Sequence, residues 1–90
     1  MVKQKDKLLP FSQDGADILR DLVLYNDEVN TFDFVIQSLI EICNHEPEQA
    51  EQCAMIAHFK GKCSVKAGGY YEIKPMCDEM TFRGLTVAVE

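Results

Sequence analysis

The sequence predicts an α+β fold, a single small domain in which a three-stranded sheet packs against helices. The prediction rests on two observations. Short apolar runs alternate with longer segments in which apolar residues recur every three or four positions. These segments follow the order β-α-α-β-α-β, which favours a sheet covered by helices on one face. The 90 residues, 47% of them hydrophobic, suffice for one core. We expect residues 1–16 to be a short mobile arm and residues 17–90 to form the domain.

The first part of the domain is predicted to contain one strand and one helix. Ile18–Tyr25 is a short apolar run that stops at Asn-Asp, which is typical of a strand. Asn30 or Thr31 can cap the helix that follows. The spacing of apolar residues predicts that this amphipathic helix runs from about 31 to 44. Its apolar positions are Phe32, Val35, Ile36, Leu39, Ile40 and Cys43.

A second helix and a second strand are predicted next. Pro47 fits the first position of a helix, and Gly61 fits the residue that ends it. Within that helix one side is rich in small apolar residues, which places this side against the core. The segment Lys62–Lys66 alternates in polarity and predicts the second strand.

The last part of the chain is predicted to form a turn, a helix and a closing strand. Gly68-Gly69 is expected to be the turn. The helix is expected from Tyr71 to about Phe82, with Pro75 near its first turn, where a missing N–H is tolerated. The alternating segment Leu85–Val89 predicts the closing strand.

Charge and hydropathy exclude several classes of function. With 15 acidic against 9 basic residues, the net charge is -6. This charge argues against nucleic acid and anionic membranes as partners, because both require clustered Lys and Arg. No apolar run approaches the ~20 residues of a membrane span. The N-terminus lacks the apolar core of a secretory signal. We therefore expect a cytoplasmic protein, and a monomer at this size.

The cysteines Cys43, Cys53, Cys63 and Cys77 show no C-x-x-C pair. We expect four reduced and mostly buried thiols, because free Cys behaves as a small apolar residue in a reducing compartment. A zinc site built from Cys53, His58 and Cys63 is an alternative, although its spacing is unusual for structural zinc. No cofactor is expected.

The stretch LYNDEVNTFDF, residues 24–34, crowds an amide and two carboxylates into one corner at Asn26, Asp27 and Glu28. Taken singly, Asn26 is typical of a turn, and the two acidic residues are typical of a solvated loop. His58, near the end of a predicted helix, is typical of a side chain that complements the helix dipole. The alternative is that the corner faces a cationic ligand.

Several motifs, taken in order, resemble the ClpS family of adaptors of the ATP-dependent Clp protease. They are Asn26-Asp27-Glu28, Phe34-Val35-Ile36, Ala50 with Gln52, and His58 with Gly61-Lys62. The match runs without a gap from about residue 22 to 66, and the closing strand also fits. The set at these separations is specific, although no single motif is.

The resemblance implies an adaptor that binds proteins by a large hydrophobic N-terminal residue (Leu, Phe, Tyr or Trp), an N-degron. It also implies delivery of these substrates to a Clp-family AAA+ unfoldase, ClpA- or ClpC-like, with its peptidase. Such an adaptor catalyses nothing itself. A protonated α-amino group carries three donors, so its pocket should offer acceptors, at least one of them charged.

The resemblance assigns the α-amino contacts to Asn26, Asp27 and a neutral His58, with Asp27 acting directly or through a water. Glu28 and Asn30 are expected at the rim, and Glu72 at the surface that docks on the unfoldase. The side chain of the N-terminal residue is expected to enter a hydrophobic pocket. Its predicted walls are Leu24, Phe32, Val35, Ala54, Ala57 and Leu85.

The sequence departs from the family pattern at the pocket walls and in the third helix. Family members often carry Met where Phe32 stands, and larger residues where Ala54 and Ala57 stand. Phe32 could narrow the mouth while the two alanines deepen the floor, so the preference among N-terminal residues stays open. The third helix is shorter than in many members, and the family's unfoldase-docking surface involves that region.

Two other functions are compatible with parts of the sequence. One is a regulatory domain that docks on an unfoldase without binding N-degrons. The other is a Cys-His enzyme using Cys53 and His58, but residues five apart on a helix point about 140° away from each other. The adaptor is the function that the sequence favours.

Overall fold

The computed structural model describes residues 17–90, and the arm predicted over residues 1–16 lies outside them. The described residues form a three-stranded sheet and three helices, so the predicted fold class and element order are confirmed. The elements are β1 (Leu19–Tyr25), α1 (Phe32–Cys43), α2 (Pro47–Lys60), β2 (Lys62–Gly69), α3 (Tyr70–Phe82) and β3 (Val87–Val89). None of the helices described is long and apolar enough to cross a bilayer.

The sheet has the order β2-β1-β3, and β1 pairs antiparallel with both neighbours. Leu22 and Leu24 of this central strand are 0% and 2% exposed and belong to the hydrophobic core. A bulge interrupts the pairing, since Leu22 is opposite Lys66 while Val23 is opposite Ser64. Val65 is thus left without a register partner. Its carbonyl oxygen accepts a bond from Nε2 of buried His45 at 2.6 Å, which satisfies the group that the bulge displaces.

Local capping accounts for the ends of α1 and α2. Thr31 is the N-cap of α1, and its hydroxyl accepts a hydrogen bond from the Phe34 N–H at 3.1 Å. Pro47 is the first residue of α2, as predicted. Gly61 ends α2 with φ +97°, a left-handed conformation that glycine adopts without steric cost. The chain therefore reverses sharply between α2 and β2.

Three local predictions for the last part of the chain are wrong. Gly68-Gly69 is not a turn, because β2 continues through Gly69 and α3 begins directly at Tyr70. Side chains could not fit at these two glycines without displacing the carboxylates of Glu72 and Asp17. Pro75 is the sixth residue of α3 and lies inside the helix rather than in its first turn.

The closing strand is also shorter than predicted and spans Val87–Val89. Leu85 precedes it and is only 4% exposed, and its N–H donates to the carbonyl of Met80. This bond continues the end of α3, where Gly84 has φ +90°. Leu85 is therefore part of the core that α3 closes over the sheet. The largest fully buried side chains of that core are Leu22, Leu39, Ile73 and Met80.

Candidate functional site

A cavity of about 390 Å³ lies where the end of β1, the loop after it, the start of α1 and the second half of α2 meet. Nearly all the residues predicted from the sequence for the amine contacts, the rim and the hydrophobic pocket line it. These are Leu24, Asn26, Asp27, Glu28, Asn30, Phe32, Val35, Ala54, Ala57 and His58. The tertiary fold thus brings together segments that are more than 30 residues apart.

The main chain of Asn26 connects the end of β1 to the end of α2. Its N–H donates a hydrogen bond to the carbonyl of Gly61 at 3.0 Å. Since Gly61 follows His58 by three residues, this bond brings Asn26 and His58 to the same mouth of the cavity. The left-handed Gly61 is what allows the chain to present that carbonyl to β1.

The carboxylate of Asp27 holds the loop in place. One oxygen accepts bonds from the N–H groups of Val29 and Asn30, at 3.0 and 2.9 Å. The other accepts from the Asn30 amide at 3.0 Å and from the Thr86 hydroxyl at 3.2 Å. These four bonds use about the full accepting capacity of a carboxylate. Asp27 therefore gives the cavity a fixed negative charge whose lone pairs are already occupied.

These contacts also set the acidity of Asp27. Partial burial by itself would raise the pKa of its carboxyl group, because burial penalises the charged form. The hydrogen bonds from Asn30, Val29 and Thr86 favour the charged form more strongly. Together they lower the pKa below its ordinary value of 3.8, so Asp27 is ionised near neutral pH.

The side chains of Asn26 and His58 differ from Asp27 because their hydrogen-bonding capacity is unused. Within residues 17–90, neither side chain takes part in a hydrogen bond or an ion pair. The His58 ring is held edge-to-face against Phe59, with 4.9 Å between ring centroids. An amide oxygen and an imidazole nitrogen are thus both available at the mouth, beside the partly buried negative charge of Asp27.

The depth of the cavity is apolar and is made by small side chains. Ala54 and Ala57 are 4% and 3% exposed, one helical turn apart on α2. Leu24 of β1 lines the same space, while Phe32, 39% exposed, stands at the start of α1. Because Ala54 and Ala57 have only methyl side chains, α1 and α2 leave between them a space that larger side chains would fill. The site therefore joins a polar mouth to an apolar interior.

Two predicted residues lie elsewhere. Leu85 does not line the cavity, because the end of α3 directs it into the core with Met80 and Ile73. Glu72 lies in the first turn of α3, exposed and against Gly68, away from the cavity lining. Nothing in the geometry tests its predicted role in docking.

Tyr25 lines the cavity and was missed in the sequence analysis. Its hydroxyl donates a hydrogen bond to the Glu90 carboxylate, and the Lys62 ammonium lies 5.9 Å from the centre of its ring. Alternation along β1 places Tyr25 on the face opposite Leu24, which is why it was not assigned to the pocket. Its position immediately before Asn26 was the only available signal.

The alternative zinc site is not assembled. In the part of the chain that the structure describes, no group of three or more His, Cys, Asp or Glu side chains is arranged to hold a metal ion. All four cysteines are free, with Cys43 and Cys77 buried and Cys53 and Cys63 half-buried. The expectation that most of the thiols would be buried thus holds fully for only two of them.

Comparison with known proteins supports the same family as the motifs. A family model described as "ATP-dependent Clp protease adaptor protein ClpS" matches residues 19–87, which contain the whole cavity and most of the sheet. The chain belongs to the ClpS family. ClpS is an adaptor family rather than a catalytic one, and membership implies a Clp protease as partner. No curated protein sequence matches the chain.

The ClpS fold is also found by structural comparison. The structure of Agrobacterium tumefaciens ClpS2 bound to L-phenylalaninamide matches this chain with a TM-score of 0.77. The match covers 80% of this chain and 94% of that chain, at 22% sequence identity. At this identity the similarity establishes the ClpS fold, which the topology described above shares.

Proposed function

We propose that the cavity binds the N-terminal residue of substrate proteins that begin with a large hydrophobic side chain. One observation carries the proposal. The side chains of Asn26 and His58, which have no hydrogen-bond partner within residues 17–90, meet at the mouth of a cavity whose interior is lined by Ala54, Ala57 and Leu24. An N-terminal residue has the matching chemistry, since a charged amine lies one bond from the carbon that bears the side chain.

In this proposal the ammonium group donates to Asn26 Oδ1 and to a neutral nitrogen of His58. Asp27 adds its negative charge and fixes the loop, and its occupied oxygens leave the third N–H of the ammonium to water at the open mouth. Glu28 and Asn30 form the rim. The L-phenylalaninamide in the Agrobacterium ClpS2 structure is a ligand of this type, an aromatic side chain beside a free amine.

The energetics require both halves of the site. Burial of a Leu or Phe side chain contributes roughly 1.5–3 kcal/mol. Binding at micromolar concentration needs about 8 kcal/mol. The amine contacts and the neighbouring peptide backbone must therefore supply the larger part. This requirement explains why a charged acceptor set should stand beside the apolar cavity.

Fluorescence anisotropy with labelled peptides tests the proposal. We expect peptides that begin with Leu or Phe to bind at micromolar concentration or tighter. Acetylation of the Phe peptide should abolish binding, because it removes the positive charge and leaves the acceptors unpaired. Peptides that begin with Ile or Met measure how Phe32 restricts the mouth. If no free-amine peptide binds to the folded protein, the remaining function is a regulatory domain that docks on an unfoldase.

We further propose that the chain delivers bound substrates to a ClpA- or ClpC-like AAA+ unfoldase and its peptidase, acting as a cytoplasmic monomer. Family membership supports a Clp partner. The test is degradation of a Phe-initiated fluorescent protein by each unfoldase, with and without the adaptor. Deletion of residues 1–16 should leave peptide binding intact and slow degradation. Equal degradation by the truncated adaptor would show that the arm has no part in delivery.

A further inference from the structure

An exposed aromatic ring lies beside the mouth of the cavity. Phe59 is the penultimate residue of α2, and its side chain is 74% exposed. Its ring contacts the His58 imidazole edge-to-face, with 4.9 Å between the centroids and 77° between the planes. His58 is among the described residues that line the cavity, whereas Phe59 is not. The ring of Phe59 therefore reaches the candidate site through His58 and not through the cavity wall.

The helix does not impose this contact. Successive side chains of an α-helix point about 100° apart, and residues one position apart do not normally face each other. The two side chains must therefore lean towards each other for their rings to meet. The edge-to-face arrangement is one that aromatic rings prefer. The contact thus selects one orientation of the His58 imidazole among those that an exposed side chain could adopt.

His58 is restrained less than the other two polar groups at the mouth. The carboxylate of Asp27 accepts four hydrogen bonds, and the main chain of Asn26 is bonded to Gly61. The His58 side chain is exposed and has no hydrogen bond or ion pair within residues 17–90. A side chain that binds a ligand in one geometry loses rotamer freedom on binding, which weakens affinity. The contact with Phe59 removes part of that freedom before the ligand arrives.

We propose that Phe59 is a positioning residue of the amine site. Its ring holds the His58 imidazole in the orientation that presents a nitrogen acceptor to the ammonium group of the ligand, and Phe59 itself does not touch the ligand. The role rests on the function proposed above, because it belongs to the same site. The contact between the two rings stands independently of that function.

Affinity for a Phe-initiated peptide gives the first test. We expect Phe59→Ala to weaken binding roughly twofold to tenfold, the effect of ordering one side chain on binding. Phe59→Tyr keeps the ring and should bind like the parent protein. Urea unfolding of Phe59→Ala should match the parent, because the lost ring is mostly exposed. Parent-like peptide binding by Phe59→Ala would overturn the proposal.

Phe82 provides the matched control. It is also a phenylalanine near the end of a helix, the last residue of α3, and it is 91% exposed. It does not line the cavity and makes no ring contact with another described residue. Phe82→Ala should therefore bind the peptide like the parent protein. An equal loss of affinity in Phe82→Ala and Phe59→Ala would show a general effect of exposed rings and overturn the positioning role.

A double-mutant cycle separates positioning from direct contact with the ligand. In a His58→Ala background the group that Phe59 positions is gone, so Phe59→Ala should cause no further loss of affinity. If Phe59 instead provides an apolar surface for the peptide, its removal should weaken binding by the same factor in both backgrounds. That additive result would overturn the proposal.

NMR of the free protein tests the ring contact without any ligand. The C–H protons of the His58 imidazole lie near the Phe59 ring, so Phe59→Ala should shift their signals, whereas Phe82→Ala should not. The signals of His45, buried under the bulge of β2, serve as an internal reference. Unshifted His58 signals in Phe59→Ala would overturn the proposal. If the parent protein binds no peptide, the proposed function fails, while the spectra still decide whether Phe59 holds the imidazole.

Discussion

The two faces of α2 show what separates a binding site from an apolar surface. The inner face carries Ala54 and Ala57 and forms one wall of the 390 Å³ cavity. The outer face exposes Met55 and Ile56, at 46% and 41%, and lines a depression of about 300 Å³. The two hollows are therefore comparable in volume, although the outer one is lined by a larger apolar share. The described residues that line the outer depression all lie on α2, whereas the cavity is enclosed by β1, the loop, α1 and α2.

The polar groups provide the decisive difference. At the cavity, Asn26 and His58 converge from separate elements without hydrogen-bond partners among the described residues, beside the charge of Asp27. At the outer depression, Glu51 and Gln52 lie on the same helix as the apolar residues, and no polar group from another element of residues 17–90 lines it. An apolar surface alone binds without selectivity, whereas unpaired groups at a fixed mouth select a ligand that can satisfy them.

Removal of both unpaired groups should have the largest effect. We expect Asn26→Ala combined with His58→Ala to weaken binding of a Phe-initiated peptide by at least about a hundredfold, since each lost partner leaves a desolvated donor on the ligand. Anisotropy titration measures this loss. Met55→Ala on the outer face is the matched control and should bind like the parent protein. If the double variant still binds the peptide, the amine site lies elsewhere.

Filling the inner face should have the next largest effect. Ala57→Leu introduces three carbon atoms into the space that the side chain of the ligand would occupy, and we expect the overlap to cost about 1–3 kcal/mol of binding, as overpacking of a core does for stability. Affinity for Phe-initiated peptides should therefore fall roughly tenfold to a hundredfold. Ile56→Ala, one residue away on the outer face, should change it little. Unchanged affinity in Ala57→Leu would show that the side chain of the ligand does not enter this cavity.

Asp27 should affect stability as well as binding. Its folded-state pKa lies below 3.8, so the stability that its ionised form contributes is fully present above that value. The contribution is lost as the pH falls through the lowered folded-state pKa. We expect Asp27→Asn to reduce the free energy of urea unfolding by about 1–3 kcal/mol near neutral pH. The difference from the parent protein should shrink in acid.

Exposed Asp33, in the first turn of α1, provides the control for Asp27. Asp33→Asn should cost no more than about 0.3–1 kcal/mol, because it loses only an exposed interaction with the helix dipole. Urea unfolding of both variants at neutral and acidic pH makes the comparison. An Asp27→Asn difference that stays constant through the acid range would contradict the role of ionised Asp27 in holding the loop.

Local sequence patterns predicted the elements and many of their boundaries. The spacing of apolar residues defined α1, and Thr31, Pro47 and Gly61 marked helix ends by local capping and backbone preference. The same patterns failed at Gly68-Gly69. A glycine pair is typical of a turn. Here both glycines belong to β2, and their lack of a side chain leaves room for the carboxylates of Asp17 and Glu72. That requirement arises from residues on other elements, so local preference could not show it.

In the candidate site, too, local sequence predicted some properties and missed others. Order and spacing of the motifs sufficed to nominate Asn26, Asp27 and His58, because family resemblance acts through sequence. Their hydrogen-bonding states depend on distant partners. The carboxylate oxygens of Asp27 are fully hydrogen-bonded partly because the hydroxyl of Thr86, 59 residues away, donates to one of them. Leu85 does not line the cavity because the end of α3 places it in the core.

The sequence by itself thus determined the fold class, the helix caps and the residue types at the cavity, since each depends on neighbours within a few positions. The tertiary structure alone decided which polar groups at the mouth lack partners among residues 17–90, and which carboxylate holds the loop. Those properties depend on contacts between elements. Whether a polar side chain is hydrogen-bonded depends on all the groups that the fold brings near it, including those far away in sequence.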